Sequence, residues 1–106
     1  MSLDAQVIAI GPFLPALVDC LDYPARFYEK VPPGTTVICT VFQGLTNEGS
    51  TQLAEALGFR PFDLGKHAIG LDGVDDERLR MFDLDAFERF DRLREAGFQF
   101  YYLPNG

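Results

Sequence analysis

The side chains best placed for chemistry sit in one short loop, Gly44-Leu-Thr-Asn-Glu-Gly49-Ser-Thr51. It comes close to the phosphate-loop pattern G-x-x-x-x-G-K-[ST], in which backbone N–H groups cradle phosphates and Lys supplies positive charge. Here Ser50 stands where the pattern has Lys, and Glu48 adds a negative charge. Binding of a nucleoside triphosphate is therefore not expected. Beside Glu48 the loop keeps the neutral polar residues Thr46, Asn47 and Ser50, at what reads as a helix N-terminus. The free N–H groups and partial positive charge of such a terminus suit a small polar or anionic ligand. The plainer account is that Gly44 and Gly49 let the chain turn and Ser50 caps the helix.

Other reactive groups are few. The chain has one His, His67, so any imidazole acid, base or relay would run through it. His67 joins Thr46, Asn47, Glu48 and Ser50 as a candidate ligand-binding residue. Cys20 and Cys39 lie in apolar surroundings without C-x-x-C spacing, which predicts buried, reduced thiols rather than a nucleophile or a zinc site. The acidic run Asp72-Gly-Val-Asp-Asp-Glu77 fails the calcium-loop order D-x-[DN]-x-[DN]-G-x-x-x-x-x-E. It reads instead as capping and dipole complementation at a helix start. Neither a metal nor a cofactor is expected.

These residues need elements to hold them. Thr35–Gln43 is β-branched and apolar on both alternating sets, with Val37, Cys39 and Val41 on one and Ile38 and Phe42 on the other. Such a run predicts a buried central strand in a sheet covered on both faces, as parallel sheets usually are. Pro32-Pro33-Gly34 turns the chain into it, and Leu53, Ala54 and Leu57 give the following helix an apolar stripe that Gly58 ends. Upstream, Ala5–Gly11 reads as a short buried strand, followed by helical spacing at Leu14, Leu17, Val18 and Leu21 and a second helical run over Ala25–Val31.

Downstream, Phe59–Leu64 reads as a third strand that Pro61 demotes to an edge strand or an extended loop. Leu79, Phe82, Ala86, Phe90 and Leu93 form a long amphipathic stripe with a break near Asp83. Gly97 closes it, and Phe98–Leu103 is the final strand. Leu53–Phe59 and Leu93–Phe98 repeat one joint, a helix closed by Gly and a strand opened by Phe. The order β-α-β-α-(β)-α-β predicts a small layered α/β fold with a mainly parallel central sheet and right-handed crossovers, the alternative being an α+β two-layer sandwich.

A chain of 106 residues is expected to form one globular domain over 1–106. Ten Phe and four Tyr with no Trp predict an aromatic core. Net charge −7 sets the average surface against nucleic acid and against anionic membranes, and Pro12, Pro15 and Asp19 interrupt the one N-terminal apolar stretch that could span a bilayer or serve as a leader. The expected location is the cytoplasm.

The functional expectation is a small acidic interaction module: an inhibitor or immunity-type partner, an adaptor or an assembly subunit. It would bind another protein or a second copy of itself, with Tyr23, Tyr28 and Tyr101 as possible anchors. The alternative is a small-ligand binder or enzyme with its site at the 44–51 loop and the helix N-terminus, at the carboxyl end of the central strand.

Overall fold

The structure is a computed structural model and describes residues 5–59 and 68–104. Its frame is a four-stranded sheet in the order β2-β1-β4-β3, built from β1 (Ala5–Pro12), β2 (Thr36–Gly44), β3 (Ile69–Gly70) and β4 (Gln99–Leu103). Every pairing is antiparallel. Three helices, α1 (Asn47–Ala56), α2 (Asp76–Phe82) and α3 (Leu84–Glu95), pack on one face of it. The result is a two-layer α+β sandwich.

This corrects two expectations. The sheet is not parallel, and Thr36–Phe42 is not a central strand: β2 lies at an edge, and β1 and β4 form the middle. The doubled apolarity of β2 has another cause. Along its first half, Val37 and Cys39 face the helices while Ile38 faces out and is 60% exposed. A register shift opposite Val7 and Ile8 then inserts one extra residue, so that Val41 and Phe42 are buried in succession. A β-bulge of this kind resets the alternation. Phe42 belongs to the core because of it.

The connection from β1 to β2 carries two 3₁₀ turns, Pro15–Cys20 and Ala25–Tyr28, where helical runs were expected. Pro15 suits the start of the first turn, and Pro24 keeps the residue before it out of helical conformation and so separates the two. Leu17, Cys20 and Leu21 anchor the segment in the core. The expected extended run Phe59–Leu64 lies, beyond Phe59, outside the described residues.

The remaining elements follow their local chemistry. Thr46, Asp75 and Asp83 are the N-caps of α1, α2 and α3, and each side chain accepts from backbone N–H groups of the first turn. Asp83 ends α2 as it begins α3, which is the expected break. The repeated joint is one motif used twice. Gly58 and Gly97 have φ of +82° and +91°, and the next residue's N–H returns to the helix, Phe59 to Ala54 at 2.8 Å and Phe98 to Leu93 at 3.1 Å. These are Schellman closures, in which the left-handed residue favours glycine. Between the layers Phe42, Phe90 and Phe100 meet ring to ring, with centroids 5.6 and 4.4 Å apart.

Candidate functional site

The 44–51 loop is the joint between β2 and α1, and most of its polar groups serve that joint. Thr46 Oγ1 accepts from the Gly49 N–H at 2.9 Å. Ser50 is buried; its hydroxyl donates to the Gly44 carbonyl at 2.9 Å and accepts from the Ala5 N–H at 3.2 Å. Ser50 thus ties the helix to the end of its own strand and to the start of β1. Glu48 is exposed and accepts from Gln52 at 3.5 Å, and Asn47 is the first residue of α1. His67 lies outside the described residues.

Gly44 has a specific role here. A Cβ on it would stand 2.6 Å from the Gly49 carbonyl carbon and from the Ser50 nitrogen, so backbone meets backbone at this point. The two glycines admit the chain to itself, and the arrangement is a turn and a helix cap, with Thr46 as the cap and Ser50, the expected cap, inside the first turn of α1.

Concave surface occurs elsewhere. A polar cleft of about 380 Å³ lies against the bulge, between Asp22, Asp83 and Arg89. There Asp22 Oδ2 accepts from the Thr40 N–H at 2.9 Å, and Arg89 donates to the Val41 carbonyl at 3.0 Å. Both side chains satisfy backbone groups that an edge strand would otherwise leave open. A second cleft of about 450 Å³, walled by Leu71, Val74, Phe90 and Phe98, has Arg94 at its rim. That guanidinium is engaged by Asp76 and Asp91, at 2.9 and 2.6 Å, which raises its pKa further and depresses that of Asp76. Neither cleft gathers a nucleophile and a base.

The thiols are equally unsuited to chemistry. Cys20 and Cys39 are buried and free. Burial, reinforced by the negative charge of Asp22, pushes Cys39 up to about 12, far from a reactive thiolate at neutral pH. Among the described residues, no cluster of three or more His, Cys, Asp or Glu is arranged to hold a metal ion. No helix among them is long and apolar enough to cross a membrane.

The open face of the sheet is the feature that stands out. Register and alternation place Gln6, Ile8 and Ile10 of β1, Thr36, Ile38 and Thr40 of β2, and Gln99, Tyr101 and Leu103 of β4 on the side away from the helices. Among the described residues, none of these belongs to the core cluster, and none of their apolar members packs against it. Antiparallel sheets with one wet side normally turn polar residues to it. Here Ile8, Ile10, Ile38 and Leu103 face out, and the set contains no charged residue. Four of its polar members bond in pairs: Thr40 donates to Gln6 at 3.2 Å and Tyr101 to Gln99 at 3.1 Å.

Of the other expected anchors, Tyr23 is exposed and meets Phe27 at 5.4 Å, whereas Tyr28 is half-buried and stacks on Phe13 at 5.2 Å. The sequence reading missed the face itself. Its signal was present in the two-sided apolarity of Thr35–Gln43, which was attributed to burial on both sides.

No protein-family model, curated protein or solved structure matches this chain.

Proposed function

We propose that this protein is a non-catalytic interaction module whose contact surface is the uncovered face of its sheet. One observation carries the reading: a charge-free face bearing Ile8, Ile10, Ile38 and Leu103 is left without a covering layer among the described residues. Contiguous apolar surface of this kind marks association sites. A small ligand at the 44–51 loop has less support, because it would compete with the bonds that Thr46 and Ser50 make to the backbone. Two buried free thiols suit a reducing compartment such as the cytoplasm. The acidic balance suits neither nucleic acid nor an anionic membrane.

The test is a photo-crosslinking amino acid placed at Ile10, with the same group at Glu88, exposed on α3, as reference. In cells making the protein at native level, the Ile10 probe should give a discrete adduct that the Glu88 probe does not. Identical patterns from both positions, or no adduct from Ile10, would remove the face as a contact surface.

A further inference from the structure

We propose that the occupant of this face is a second copy of the chain, stacked sheet on sheet in a two-fold dimer. The proposal rests on the interaction reading above and names its partner. Charge decides first. The chain carries −7 overall, yet among the described residues no charged one stands on the open face. Two copies can therefore meet there without setting like charges opposite each other, whereas a basic partner would find no carboxylate on it to pair with.

Desolvation points the same way. The hydroxyls of Thr40 and Tyr101 already donate within the face, so covering it with a second copy leaves neither hydroxyl donor without an acceptor. Association through the edge of the sheet is less suited. On β2, Asp22 and Arg89 occupy the backbone groups of Thr40 and Val41, and β3 at the other edge pairs over two residues only.

Size is adequate. The strands β1, β2, β3 and β4 run to 8, 9, 2 and 5 residues; at about 4.8 Å between strands and roughly 3.3 Å rise per residue they present roughly 380 Å² in projection, and more with side-chain relief. A pair of such faces buries on the order of 1,000 Å², where specific interfaces begin. A two-fold axis through the middle of the sheet sets Ile8 and Ile10 of one copy against the same residues of the other, as self-complementary dimers do. The sheets would then lie about 10 Å apart with strands crossing at roughly 30°.

Sedimentation equilibrium of the purified protein over a concentration series tests this. The wild-type mass should rise to twice 11.9 kDa. Ile10→Lys should raise the dimer dissociation constant at least about tenfold, while Met81→Lys, 83% exposed on the helical side, should leave it unchanged. If Ile10→Lys does not fold, Ile38→Lys at the exposed edge position carries the same test. A dimer that survives substitution at both Ile10 and Ile38, or one that Met81→Lys abolishes, overturns the proposal. So does a wild-type monomer throughout. In that last case, a crosslink from Ile10 to another protein would leave the interaction module standing with a different partner, and no crosslink would end both readings.

Discussion

Arg89 of α3 donates to the carbonyl of Val41 across 3.0 Å, and so joins the helical layer to the bulge in the edge strand. The bulge exposes that carbonyl, and the guanidinium is half-buried beside it. On the neighbouring residue Asp22 accepts the Thr40 N–H. One cation and one carboxylate thus close the middle of an edge that carries no charge of its own.

Arg89→Ala should lower stability by about 1.5–3 kcal/mol, the usual worth of a hydrogen bond to a charged group. Arg89→Lys should recover only part of it, because an ammonium has a different reach and geometry. Urea denaturation measures both. An alanine variant as stable as wild type would mean that water replaces the guanidinium at no cost.

The joint between β2 and α1 makes a second prediction. Gly44→Ala puts a methyl group 2.6 Å from the backbone of Gly49 and Ser50, which cannot move aside as a side chain can. The expected loss is about 1–3 kcal/mol from overpacking. Ser50→Ala should cost a similar amount, since it strips the buried Ala5 N–H of its acceptor. Unchanged thermal melting of Gly44→Ala would mean that the close approach is not a tight one, and of Ser50→Ala that the Ala5 N–H finds another acceptor.

These two sites show what the sequence could and could not disclose. Local signals were legible: the turn at Gly44–Ser50, the break at Asp83 and the joints at Gly58 and Gly97 follow from capping and left-handed glycine, which act within a few residues. Sheet order was not, because it depends on which strands meet. Val37, Ile38 and Cys39 read the same whether the second apolar side is covered by helices or left bare. The bulge was hidden for a related reason. One inserted residue moves Phe42 to the core side, and only the pairing with Val7 and Ile8 shows it. The candidate site suffered most, since Thr46 and Ser50 were recognisable as polar but their partners at Gly49, Gly44 and Ala5 were not.

Acid should weaken a link between the helices. Arg94 grips Asp76 through both carboxylate oxygens, at 2.9 and 3.0 Å, and holds its pKa below the ordinary 3.8. A carboxylate depressed on folding adds stability above its unfolded value and loses it as pH falls through the folded one. The pair is solvent-accessible, so its worth is about 0.2–1 kcal/mol. The stability difference between wild type and Asp76→Asn, measured by urea denaturation, should therefore narrow as pH falls below 3.8. A difference that stays constant into strong acid would show that the ion pair does not contribute.

Alkali should act through Cys39. Its thiol is raised on folding from 9.0 to about 12, chiefly by burial and secondarily by the charge of Asp22. For a group raised on folding, the stabilisation is complete below the unfolded value, here 9.0, and fades as pH climbs toward 12. The unfolded chain gives up this proton first, and alkali then draws the equilibrium toward it. Stability should accordingly decline above pH 9.0 in the wild type and decline less in Cys39→Ala. The same burial predicts slow labelling of the native protein by a disulfide reagent at neutral pH, with the rate rising in urea as the protein unfolds. Rapid labelling of the folded protein at Cys39, mapped by mass spectrometry, would show that β2 opens locally at its bulge and that the thiol is not sealed from water.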